Sequence, residues 1–198
     1  MNTLHDRRPT LLLVDDEAMN LRLLSQILAA DYRLLVAKDG PRALALARSD
    51  RPDLILLDVM MPGMTGHQVC AQLKSEPDLQ RIPVIFVTAL SEETDEMRGF
   101  ELGAVDYITK PYGAAIVKAR VRTHLSLVRT DQLLATRQQV VQCLGAAAEY
   151  KDNETGLHVV RMSHYARLLA QAMGYDDGEL EDIFNAAPMH DVGKIGIP

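Results

Sequence analysis

Cysteine is scarce: the 198 residues hold only Cys70 and Cys143, far apart and outside any CxxC pair. That excludes a disulfide framework and a zinc knuckle, and both thiols read as small apolar fillers in a reducing compartment. No stretch approaches the ~18–20 apolar residues that a membrane-spanning helix needs. The leading MNTLHDRRPT is polar and has no apolar signal core. The expectation is a soluble, cytoplasmic protein with no membrane insertion, which receives any membrane signal through a partner. A net charge of −6 argues against nucleic-acid binding by bulk electrostatics. No repeat, low-complexity tract or nucleotide-binding P-loop is present. Hydrophobic residues make up 47%, enough for a real core, and the length lies between one ordinary domain and two large ones.

From Thr10 to Pro111, short apolar runs alternate with helical segments, the signature of stacked βα units. Strands are expected at Leu11–Val14, Leu34–Ala37, Leu54–Leu57, Val84–Val87 and Tyr107–Thr109. Helices are expected from about Ala18 to Ala30, with Leu21, Leu24, Ile27 and Leu28 on one face, and from Gly40-Pro41 onward. Strands this apolar are buried on both faces, so the fold class is α/β, a five-stranded doubly wound parallel sheet over Thr10 to about Leu127. Tyr112 to about Ala148 then reads as one long helix of about 30 residues, some 45 Å long. Val117, Val121, Leu125, Val128, Leu134, Val141 and Leu144 recur on it at helical spacing, and the interleaved arginines read as solvated flanks. A stripe that outruns the core needs another partner, expected to be a second copy in a coiled coil. Beyond Tyr150, helices from about Glu154 to Met173 and from Glu179 to about His190 open an incomplete all-α region.

Asp15, Asp16, Asp58, Thr88 and Lys110 each fall where a predicted strand runs out. A parallel sheet gathers those ends along one edge, where ligands bind. Carboxylates of Asp15, Asp16 and Asp58, with a backbone carbonyl of Met60, make a hard-oxygen set suited to Mg²⁺. Crowding these acids is costly, since like charges raise each other's pKa, so a cation belongs there. Asp58 is then the candidate phosphoacceptor. Lys110 would pair with the phosphoryl oxygens and Thr88 would donate its hydroxyl to one of them. Lys110-Pro111 fits a tight turn, in which a cis peptide is one option.

The runs LLLVDDE, LILLDVMMPGMTG, PVIFVTAL and GAVDYITKP resemble the receiver domain of two-component response regulators (CheY-like, flavodoxin-like fold). The resemblance implies that Asp58 takes a phosphoryl group from a histidine kinase or phosphotransfer protein. It also implies a switch pair, Thr88 and Tyr107, that repacks the face formed by residues 91–127.

Glu154 and His158 stand four apart on a predicted helix, and His190-Asp191 follows a second helix that Pro188 would kink. Lys194 could reach a phosphate held there. DNETGLHVVRMSHYARLLA and AAPMHDVGKIGIP resemble the start of the HD-GYP family of metal-dependent phosphohydrolases. The resemblance implies an iron or manganese site that hydrolyses cyclic di-GMP in the full-length parent. Glu154, His158, His190 and Asp191 match its early ligands, and Lys194 its phosphate contact. The family's later ligands do not follow, so this chain is expected to lack useful phosphodiesterase activity and to be a truncated product.

The expected layout is a receiver over 1–127, a linker helix over 128–149 that dimerises, and an output fragment over 150–198. Two further readings stand beside it: an enzyme whose metal site another protomer completes, and a stand-alone receiver that acts as a binding or dimerisation switch. A DNA-binding output is disfavoured, since no helix-turn-helix pattern follows the linker.

Overall fold

Three apolar runs are buried along their whole length: β1 (Thr10–Val14), β3 (Leu54–Asp58) and β4 (Val84–Thr88). They form the centre of a five-stranded sheet completed by β2 (Arg33–Ala37) and β5 (Asp106–Thr109). These positions come from a computed structural model that describes residues 8–89, 99–149 and 157–193. All neighbouring strands pair in parallel, in the order β2-β1-β3-β4-β5. The uniform burial expected of the strands fails at the two edges, where β2 and β5 each have a neighbour on one side only.

Helices cover both faces of the sheet. On one side α2 (Gly40–Asp50) and α3 (Gly66–Ser75) pack Ala43, Ala47, Val69 and Leu73 against Leu12, Ile55 and Leu57. On the other, α1 (Ala18–Leu28) brings Leu21, Leu24 and Leu28 onto Leu11, Leu13 and Leu56. The start of α2 is set by Asp39, whose carboxylate accepts from the Arg42 amide at 2.7 Å, and by Pro41 in the first turn. The start of α3 is a capping box between Thr65 and Gln68.

A single helix spans Ala114–Glu149, 36 residues against the expected ~30. Its opening turns bury Val117 and Val121 in the α1 core, with Leu125 packed beside them. Further along, Leu133, Leu134, Val140 and Leu144 are exposed. The chain divides into two compact units at Val128/Arg129.

In the second unit, helices Leu157–Ala172 and Asp177–Ala186 meet through the His164 and Phe184 rings, 5.1 Å between centroids. The second helix starts at a capping box of Asp176 and Glu179 and ends at Ala186, four residues before the expected His190. Pro188 lies in a separate 3-10 turn, Ala187–Met189, because a proline here has no N–H for the α-helical ladder. Among the described residues, no helix is long and apolar enough to cross a membrane.

Candidate metal and phosphoryl site

β1 and β3 are neighbours in the sheet, with Val14 opposite Leu57, so the residues that follow, Asp15 and Asp58, emerge side by side. Both are buried, at 1% and 5% exposure, while Asp16 faces solvent. One oxygen from each of Asp15, Asp16 and Asp58 lies within 4.8 Å of the others. Three hard oxygen donors at that spacing fit a small divalent cation such as Mg²⁺.

Lys110 arrives from β5, across β4. Its backbone N–H donates to the Thr88 carbonyl at 2.8 Å, and the Lys110-Pro111 peptide is cis. Its ammonium donates to Asp15 Oδ2 at 2.8 Å and to Asp58 Oδ2 at 2.9 Å. The sequence assigns Lys110 to phosphoryl oxygens. In this structure it bridges the two buried carboxylates and partly neutralises them.

Burial and the charges within the trio act together on Lys110 and Asp58. Burial alone would lower the Lys110 pKa, but its hydrogen bonds to Asp15 and Asp58 and their charges outweigh burial and raise it. Asp58 is pushed above the ordinary 3.8: burial dominates, Lys110 offsets part of it, and the Asp15 charge adds to it.

The other contacts hold the carboxylates in place. Asp15 Oδ1 accepts from the Glu17 amide at 2.9 Å and from Asn20 Nδ2 at 3.0 Å. The Met60 amide donates to Asp58 Oδ1 at 3.3 Å, which brings the Met60 backbone beside the acid. Gly66 follows closely: its N–H donates to the Val59 carbonyl at 2.9 Å, and a Cβ there would collide with Asp58 backbone.

Thr88 is buried at the end of β4. Tyr107 pairs with Phe86, two residues before Thr88, so Thr88 and Tyr107 share one face of the sheet. The Tyr107 ring is half-buried and meets Phe100 edge-on, 5.9 Å between centroids. Residues 91–98 of the expected switch face lie outside the described residues.

Sequence reasoning missed three features. Asn20 sits five residues past Asp15, in the first turns of α1, and its polar side chain beside an acidic pair was the available signal. Asp106 is buried and gathers Arg120, His124 at 2.9 Å and the Tyr107 amide at 2.8 Å. No sequence pattern announces that cluster, because it is made across the β5–helix packing. Nor does one announce the Tyr112 hydroxyl, which is buried two residues along the chain from Lys110.

Of the expected second site, His158, His190 and Asp191 are described, while Glu154 and Lys194 lie outside the described residues. The His190 ring turns Nδ1 to the Ala187 carbonyl oxygen at 3.0 Å and Nε2 to Asp191 Oδ2 at 3.0 Å. Both ring nitrogens are thus engaged within one turn of chain. Among the described residues, only Asp15, Asp16 and Asp58 bring three potential ligand groups together.

A doubly wound parallel sheet with acids and a lysine at its carboxyl edge defines a class of small α/β signalling domains. The model of the response regulator receiver domain matches residues 11–122, and the chain belongs to that family. Among curated proteins, it is 39% identical over 216 residues to a "Probable cyclic di-GMP phosphodiesterase" of Vibrio cholerae, covering 96% of this chain and 49% of that protein. It is 31% identical over 210 residues to the cyclic di-GMP phosphodiesterase response regulator RpfG of Xanthomonas campestris pv. campestris, covering 95% and 56%. The chain spans about half the length of these curated relatives. Among solved structures, it resembles the signal receiver domain of a histidine kinase from Syntrophus aciditrophicus. That likeness has a TM-score of 0.56 and 39% identity, over 60% of this chain and 90% of that one.

Proposed function

We propose that this chain is the regulatory part of a response regulator that accepts a phosphoryl group on Asp58. The observation that carries this reading is the Lys110 ammonium held on both Asp15 and Asp58. A family member of this kind needs a phosphodonor protein, here a histidine kinase or phosphotransfer protein. An Asp58 carboxylate oxygen attacks phosphorus, the bond from phosphorus to the donor nitrogen breaks, and the donor leaves with that electron pair. Lys110 hands its hydrogen bond from Asp58 Oδ2 to a phosphoryl oxygen, and the Thr88 hydroxyl donates to another. Tyr107 then turns inward behind Thr88. Asp15, Asp16, Asp58 and the Met60 carbonyl would hold Mg²⁺, which supplies charge neutralisation for the transferring phosphoryl group.

The layout follows the same reading: a receiver over 1–127, a linker helix over 128–149 and the start of an output region over 150–198. The output is a cyclic di-GMP phosphodiesterase, as the two relatives' names suggest, and acts in the cytoplasm. Glu154, His158, His190 and Asp191 would contribute to its iron or manganese site, with Lys194 on phosphate. The exposed leucines of the long helix support homodimerisation as the relay.

The test is labelling with acetyl phosphate and Mg²⁺. One hydroxylamine-sensitive phosphoryl group per chain is expected in the native protein and none in Asp58→Asn. An adduct that persists in Asp58→Asn moves the acceptor elsewhere, and no adduct in the native chain ends the reading.

A further inference from the structure

Among the described residues, one buried side-chain nitrogen or oxygen has no hydrogen-bond partner: the Tyr112 hydroxyl. The ring packs against the core formed with α1 and the long helix. A buried hydroxyl left unmatched costs stability, so its presence needs a reason. Its surroundings supply one. Burial raises the phenol pKa, and the charges acting on it are Lys110, which lowers it, and Asp15 and Asp58, which raise it further. The orphaned hydroxyl therefore lies in the field of the acidic site, two residues along the chain from Lys110.

An ammonium carries three N–H donors. Lys110 directs two of them to Asp15 Oδ2 and Asp58 Oδ2. In the transfer described above it must give up Asp58 Oδ2 to reach a phosphoryl oxygen while keeping Asp15. That movement reorients the third N–H, and a buried acceptor within its reach would hold the new position.

We propose that Tyr112 is a positioning residue for Lys110: its phenolic oxygen accepts the third N–H when Lys110 moves from the Asp58 carboxylate onto the phosphoryl group. The inference rests on the reading of Asp58 as phosphoacceptor. It explains why a tyrosine occupies a core position where its hydroxyl is unmatched while Lys110 bridges the two carboxylates. The hydroxyl's partner belongs to the phosphorylated arrangement.

The test is Tyr112→Phe in the full chain, with labelling by acetyl phosphate followed over time in Mg²⁺. The expected result is a maximal rate about three- to tenfold lower, with the KM for acetyl phosphate unchanged. The thermal midpoint should stay the same or rise, because only an unmatched hydroxyl is removed. Labelling at the native rate overturns the inference, as does a loss confined to KM or a slower rate accompanied by a lower midpoint. The native chain and Asp58→Asn are measured alongside. If the native chain takes no label, the phosphoacceptor reading fails and this inference falls with it. If the native chain labels normally and Tyr112→Phe matches it, the inference alone fails.

Discussion

A methyl group on Gly66 would overlap the carbonyl oxygen of Asp58. The first residue of α3 therefore lies directly against the backbone of the candidate phosphoacceptor, and the β3–α3 loop closes only because Gly66 has no side chain. Gly66→Ala should push the loop and the Asp58 backbone apart. A loss of about 1–3 kcal/mol in urea unfolding is expected, with slower phosphoryl labelling. Native stability together with native labelling would mean the loop absorbs a methyl group without cost.

Lys110→Met removes the cation between Asp15 and Asp58 and leaves two buried acids facing each other. Breaking a buried pair in this way destabilises by about 3–5 kcal/mol. Added Mg²⁺ should recover part of that loss, and should raise the thermal midpoint of the variant more than that of the native chain. An equal Mg²⁺ effect on both would show that the metal does not compensate for the missing ammonium.

Asp106 governs an acid-sensitive contact. Burial would raise its pKa, but hydrogen bonds from Arg120, His124 and the Tyr107 amide outweigh burial and hold it below the ordinary 3.8. A carboxylate depressed on folding adds stability that is present above the unfolded value and is lost as pH falls through the folded one. Asp106→Asn should cost about 1–3 kcal/mol at pH 7 and less as the pH drops below ~3.8. Denaturant unfolding at pH 7 and pH 3 measures both. A pH-independent difference between variant and native would exclude Asp106 as the source.

Leu134 is 52% and Leu144 44% exposed, well along the helix from the turns that bury Val117 and Val121. If these leucines form a seam with a second copy, Leu134→Glu with Leu144→Glu should shift the chain to monomer in light scattering. Acetyl phosphate labelling should be unaffected, since neither residue is one of the site's own groups. A native chain that is monomeric at high concentration, with and without beryllofluoride, would remove the seam.

Much of the receiver is legible in the sequence because its signals are local and repeated. Each strand is an apolar run, and each of Asp15, Asp58, Thr88 and Lys110 ends or follows one, so placing the strands places the site. Other features depend on packing that periodicity does not encode. The start of α3 is written in Thr65 and Gln68, a capping signal that a search for apolar spacing passes over. The last helix stops at Ala186 because Pro188 ends the ladder earlier than the apolar pattern suggests. The Asp106 cluster comes from contacts between a strand and a helix, and the buried Tyr112 hydroxyl from the segment between them packed on the core, so no spacing within an element reveals either.

Lys110 lies 95 residues from Asp15 and 52 from Asp58. On a ribosome, the two acids emerge and their strands can pair long before the lysine is synthesised. Until β5 docks on β4, the partly folded domain lacks the lysine that bridges the acids at the sheet's carboxyl edge. Such long-range closure is the slow kind, since chain entropy is lost before the contact forms. The last strand to be made thus both completes the sheet and brings the cation that bridges its two buried acids.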